Sequence, residues 1–267
     1  MVIPSGRGLG WARCRRHRPR RGGSPHRRGG PDLSAGDQWG YSIATDVLGA
    51  VIERGAAEPL PEAVRRFVTS PLSMADAGFV AEDSQRLPVP YADAKPEPAR
   101  MTDLQTLRFK TAGLVRYAPA RAIDHTSFPS GGAGMIGSAA DFACFLEALR
   151  TGGAPILAPA TAQSMTLDQI GDLPVTNLPG WGFGYGAIVL RDQTMANSPQ
   201  APGTWALTSA YDHSYFVDPR NGLTVVAYHQ HGALRAGSAS SHRKYATPST
   251  TGRRTDEVIG LRILPGG

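Results

Sequence analysis

Residues able to build a core occupy one continuous part of this chain and are scarce at its two ends. The first 30 residues hold nine arginines and no acid, set among Gly, Pro and Ser. Residues 231–267 hold six Lys/Arg against Asp256 and Glu257, with one weak apolar remnant from Val258 to Leu264. Between them, 31–230 carries 13 basic and 20 acidic residues and nearly all of the periodic apolar text. The net charge of +6 therefore belongs to the ends, and the middle is mildly acidic. A segment with little to bury cannot offset its own ordering entropy. Residues 1–30 are thus expected to be disordered, 231–267 to form a poorly ordered tail, and 31–230 to hold the domain. Out-of-frame translation of a GC-rich gene would produce text like 1–30. The same residues also read as an unstructured tail, or as an arginine arm for nucleic acid.

A hydrophobic fraction of 41% over 267 residues suits a globular protein. No apolar run approaches the roughly 20 residues of a membrane span. The N-terminus has charge but no apolar stretch of signal-peptide type, so the chain as given reads as cytoplasmic. Cys14 and Cys144 make no disulfide framework. Cys144, between Phe142 and Phe145, reads as a small core residue.

Within the middle, the turn Ser34-Ala35-Gly36-Asp37-Gln38 leads to Trp39-Gly40-Tyr41 at the mouth of a helix. Val47, Leu48, Val51 and Ile52 give that helix an apolar face. Tyr41 stands where outward-pointing N–H groups favour negative charge; it also reads as a half-buried aromatic at a helix entry. Pro61 suits the first position of a second helix, whose apolar face is Val64, Phe67 and Val68. Prolines 88, 90, 96 and 98 break up residues 76–125, which read as a long surface loop. After the glycine-rich turn Pro129–Met135, Ser138 is a candidate N-cap with Asp141 three residues on. Phe142, Phe145, Leu146 and Leu149 form one helical face, stopped by Gly152-Gly153. Residues 159–165 suggest a short helix and Ala187–Leu190 a strand. Ser214–Val217 and Leu223–Tyr228 flank the turn Asp218–Gly222 as an antiparallel hairpin.

Several constellations mimic known sites without meeting their requirements. The turn at 131–134 lacks the Gly-Lys-Ser/Thr ending of a phosphate-binding loop. Gly40-Tyr41-Ser42-Ile43-Ala44 resembles a nucleophile elbow, but no strand precedes it. His229-Gln230-His231 has no obvious third ligand, so no metal is expected; His213 reads as a local hydrogen-bonding residue.

In their order, the motifs resemble the serine β-lactamase-like hydrolases, which include class C β-lactamases, DD-peptidases and related esterases. The matching text is Trp39-Gly40-Tyr41-Ser42 before Asp46-Val47-Leu48-Gly49, then Pro71-Leu72-Ser73-Met74. It continues with Gly131–Met135 before Ser138-Ala139-Ala140-Asp141, then Gly182-Phe183-Gly184-Tyr185-Gly186 and His213–Pro219. Tyr-Ser-Ile at 41–43 is most similar to the esterase branch. The resemblance implies an α+β, β-lactamase/transpeptidase-like fold: an antiparallel sheet flanked by helices, with a helical subdomain near 42–125, incomplete here. It implies acyl-enzyme hydrolysis of a small ester or β-lactam, without a cofactor. Tyr41 is then the proton-handling tyrosine, Leu207-Thr208-Ser209 the third motif at the substrate edge, and Ala210 the backbone oxyanion donor.

This chain departs from the pattern twice. The family's Ser-x-x-Lys precedes the tyrosine, yet no lysine precedes Tyr41; Ser241-His242-Arg243-Lys244 lies downstream in polar text. Lys110-Thr111-Ala112 mimics the third motif but comes too early. Leu207-Thr208-Ser209 is also bulkier than the usual third motif. The expectation is a family member lacking its nucleophile segment and inactive or nearly so. A ligand-binding pseudoenzyme is the second reading and an arginine-arm nucleic-acid binder the third.

Overall fold

The structure, a computed structural model, describes residues 3–4, 36–92, 94, 96–109, 113–232 and 257–262. In chain order the elements are β1 (Ile3–Pro4), α1 (Ala44–Ala56), α2 (Leu60–Val64), β2 (Tyr91–Ala92), β3 (Ala99–Arg100), β4 (Gln105–Phe109) and β5 (Gly113–Tyr117). They continue with α3 (Ala139–Arg150), α4 (Pro159–Thr166), β6 (Trp181–Phe183), β7 (Ile188–Leu190), β8 (Trp205–Thr208), β9 (Ser214–Asp218), β10 (Leu223–Tyr228), β11 (His231–Gly232) and β12 (Glu257–Arg262).

The main sheet is antiparallel, in the order β12-β10-β9-β8-β7-β6. Successive side chains of a strand point to opposite faces, and here both faces are covered. Val189, Trp205, Val217 and Val226 meet Ala139, Ala143, Leu146 and Leu149 of α3 on one side. Ile188, Leu190, Ala206, Phe216 and Val225 gather with Val175, Trp181 and Trp39 on the other. That is why these strands read as continuous apolar runs. The hairpin expected at 214–228 is β9–β10, with Leu223 opposite Asp218. The apolar remnant near the C-terminus supplies β12, which pairs along the whole of β10.

Helix α3 starts as its sequence dictates: the Ser138 hydroxyl oxygen accepts the Asp141 N–H at 3.2 Å. Gly152 and Gly153, both at positive φ, end the chain's helical path. Its polar side is tied to the sheet as well. Arg150 Nε lies 3.0 Å from Glu147 Oε1 and its Nη2 2.7 Å from Oε2, while the buried Thr224 hydroxyl on β10 donates to Glu147 Oε1.

Three expectations change. Residues 105–109 and 113–117 are not loop but the antiparallel strands β4 and β5, in which Leu107, Val115 and Tyr117 face a small core with Ala92 and Met101. Arg108, Leu114 and Arg116 face outward. The alternation was present in the text, but the prolines before it and the Lys110-Thr111-Ala112 mimic obscured it. Cys144 is exposed on α3 instead of being a core residue, because the buried side of that helix is set by 139, 143, 146 and 149. Phe67 is likewise exposed, with Arg66 stacked over its ring at 4.2 Å; Leu60 and Ala63 are the buried residues of that helix. Most of residues 1–30 lies outside the described residues, although Ile3–Pro4 pairs with β5. No helix among the described residues is long and apolar enough to cross a membrane.

Candidate active site

Tyr41 lies just ahead of α1 and is 85% exposed. Its neighbours hold it in place. Trp39 packs on Phe183 of β6, ring centroids 5.3 Å apart. On the other side, Ser42 Oγ accepts the N–H of Ala44, the first residue of α1, at 3.1 Å. One turn into α1, the Asp46 carboxylate accepts the Ser130 hydroxyl at 2.5 Å and the Gly132 N–H at 3.1 Å. Ser130 Oγ in turn accepts the Ala133 N–H. The glycine-rich turn therefore serves as a seat for α1, not as a phosphate cradle. A Cβ on Gly131 would stand 2.6 Å from the Thr45 carbonyl oxygen, so only glycine lets the helix come this close.

The third-motif residues run off the end of β8. Leu207 pairs with Tyr215 and Thr208 with Ser214. The chain then turns tightly. Ser209 N–H donates to the His213 carbonyl at 2.8 Å, Asp212 N–H to the Ser209 carbonyl at 3.1 Å, and Tyr211 N–H to Ser209 Oγ at 3.3 Å. Asp212 takes positive φ to close the turn. The Ala210 carbonyl accepts the hydroxyl of Tyr117, at 2.9 Å from β5. The Ala210 N–H donates to no group among the described residues. The residue is half-buried, on a cross-braced turn. Ser209 is thus chiefly a turn former. Tyr41 and Ala210 are held by different sets of neighbours, the first through Trp39, Asp46 and Ser130, the second through Tyr117 and Ser209.

Beside this turn lies an aromatic group. Tyr117 and Tyr211 meet edge to face at 5.1 Å, and His213 lies 4.6 Å from the Tyr228 ring. His213 Nδ1 accepts the His229 N–H at 3.0 Å, which leaves any ring proton on Nε2. Burial, with the neighbouring His229 adding to it, pushes the His213 pKa down to about 4, so this imidazole is neutral near pH 7. Burial likewise raises Tyr211, to about 12, and Tyr117 further. These phenols stay protonated, and that of Tyr117 donates to the Ala210 carbonyl. Among the described residues no group of three or more His, Cys, Asp or Glu is placed to hold a metal ion.

Lys95, Lys110 and Lys244, the three lysines of the sequence, lie outside the described residues, as does Ser241. Asp46, Ser130 and Tyr117 were not singled out for a role by sequence reasoning. Asp46 and Ser130 do fall inside quoted motifs, but their pairing across 84 positions leaves no local trace.

The helices and antiparallel sheet define a β-lactamase/transpeptidase fold. Over 78% of this chain and 55% of the other, the structure resembles EstCE1, described as a hydrolase with promiscuous acyltransferase activity, at 40% identity and a TM-score of 0.74. A fold likeness with 18% identity and a TM-score of 0.59 links it to simvastatin synthase (LovD) of Aspergillus terreus, over 78% of this chain and 53% of that one. The beta-lactamase family profile matches residues 26–243, and the chain belongs to that family. It is similar to esterase EstB of Burkholderia gladioli, with 45% identity over 197 residues, 73% of this chain and 50% of that protein. Protein Rv1367c of Mycobacterium tuberculosis is 27% identical over 85% of this chain and 59% of its own length. The chain thus spans about half the length of the curated relatives it matches.

Proposed function

We propose that this chain forms the substrate-side wall of a serine acyl hydrolase and that the 267-residue polypeptide alone does not turn over. Tyr41 is the proton relay, Leu207, Thr208 and Ser209 form the substrate edge, and the Ala210 N–H is the oxyanion donor. The observation that carries this reading is the Ala210 N–H, which has no partner among the described residues and stands on a braced turn directly after the third motif. The substrate class is a small ester before a β-lactam, in keeping with the similarity to EstB and EstCE1.

The case for inactivity is chemical. A phenol and a backbone donor assist bond breaking that a nucleophile must begin. Ser-x-x-Lys occurs in this sequence only at 241–244, downstream and in polar text. Losing the nucleophile of such a unit costs a factor on the order of 10⁶ in rate. The test is hydrolysis of p-nitrophenyl butyrate and of a chromogenic cephalosporin by the purified chain, with binding of the butyrate product followed in parallel. Butyrate binding with no hydrolysis above background supports the proposal. Hydrolysis at ordinary enzyme rates that disappears in Tyr41→Phe overturns the claim of inactivity while keeping the assignment of Tyr41.

A further inference from the structure

We infer that Tyr117 is a positioning residue for the oxyanion donor: its hydroxyl fixes the peptide next to the Ala210 N–H, so the donor is pre-aimed before any ligand arrives. The inference rests on the assignment of Ala210 above and extends it to a residue on a different sheet, nearly a hundred positions away.

The geometry is a chain of three peptide units, each tied down. The unit entering Ser209 is held by its N–H on the His213 carbonyl. The unit that carries the Ala210 N–H is held by its own carbonyl, that of Ser209, which accepts from Asp212. A trans peptide is planar, with its N–H and C=O on opposite sides. Holding the Ser209 carbonyl toward Asp212 therefore turns the Ala210 N–H away from the turn. The third unit is gripped at both ends: its carbonyl, on Ala210, accepts from Tyr117, and its N–H, on Tyr211, donates to Ser209 Oγ. The torsions of Ala210 join the second unit to the third, so freeing the third leaves the donor restrained from one side only, by the Asp212–Ser209 bond.

Tyr117 suits the task. Its residue is 0% exposed, it belongs to the small core on the inner side of β5, and its ring meets Tyr211 edge to face. A donor aimed in advance loses less freedom when a ligand binds, and a fixed dipole needs no reorganisation as charge develops.

The experiment uses the full chain and reads the Ala210 amide by NMR, free and with added butyrate as the carboxylate probe. The variants are Tyr117→Phe, which removes only the hydroxyl, and Ser209→Ala, which frees the other end of the same peptide. Met101→Ala serves as a control that loosens the same small core without touching the turn. In the wild type the Ala210 amide should be rigid, with an order parameter of about 0.85. Either release should lower it below about 0.6 and weaken butyrate by about 5–10-fold, while Met101→Ala changes neither. An unchanged order parameter in both releasing variants overturns the inference. So does an equal loss of order in Met101→Ala, which would make Tyr117 merely structural. Failure of the wild type to bind butyrate counts against the proposed function; the order parameters still decide the role of Tyr117.

Discussion

Substituting Glu147→Gln tests whether the polar brace between α3 and the sheet is a net stabiliser. The Glu147 and Arg150 side chains are 13% and 15% exposed, and Thr224 on β10 is buried beside them. Glutamine keeps the shape and one acceptor oxygen, but it sets an NH₂ donor against the donors of Arg150 and the Thr224 hydroxyl. Removing one partner of a buried ion pair costs about 3–5 kcal/mol, and a hydrogen bond to a charged group contributes about 1.5–3. The residual solvent access of both side chains reduces this to about 2–4 kcal/mol, or about 5–15 °C in Tm for a domain of this size. Thermal and urea unfolding of the wild type, Glu147→Gln, Arg150→Met and the double variant would give the coupling directly.

The same brace sets a pH signature. Burial opposes the charge on Glu147, but hydrogen bonds from Arg150 and Thr224 and the nearby guanidinium outweigh it and hold the carboxyl below its ordinary 4.5. A pKa depressed in the folded state stabilises above the unfolded value and is lost as pH falls through the folded one. The gap between wild type and Glu147→Gln should therefore be full above pH 4.5 and narrow below it. A Glu147→Gln variant within about 0.5 kcal/mol of wild type at pH 7, the range of ordinary surface changes, would refute the reasoning.

Two further outcomes follow from the seat of α1 and from the buried imidazole. Gly131→Ala should cost about 1–3 kcal/mol, because its Cβ meets the backbone oxygen of Thr45, which cannot rotate aside; a urea midpoint shift worth under about 0.5 kcal/mol would mean the loop yields freely. NMR titration should place the His213 midpoint near 4, so His213 contributes stability above pH 6.5 that is lost between 6.5 and about 4. A midpoint near 6.5 would show that the ring is not held neutral by its surroundings.

Where structure arose from local chemistry, it was legible in the sequence. Ser138 announced the start of α3 and Gly152-Gly153 its end. The Asp218–Gly222 turn marked the β9–β10 hairpin, and the order of the motifs pointed to the family. Long-range polar geometry was not legible. Nothing around Tyr117 indicates that its hydroxyl reaches Ala210, and nothing around Asp46 that it grips Ser130. The β4–β5 hairpin was legible in principle, since Leu107 and Val115 alternate with arginines. There the nearby prolines outweighed a period-2 signal only five residues long. Cys144 went astray for a related reason: Phe142 and Phe145 share a face, but Cys144 stands about 200° around the helix from Phe142, so adjacency told little about which side is covered.

Tyr41 has almost no contacts of its own, yet its whereabouts are narrowly limited. Trp39 is anchored in the sheet's apolar layer and Ala44 opens a helix that Asp46 fastens to Ser130. Only four residues bridge those two anchors, a contour of at most about 18 Å. The phenol is a bead on a short string fixed at both ends. Its reach is metered by the two knots, so a change at Phe183 or Ser130 would move Tyr41 without touching it.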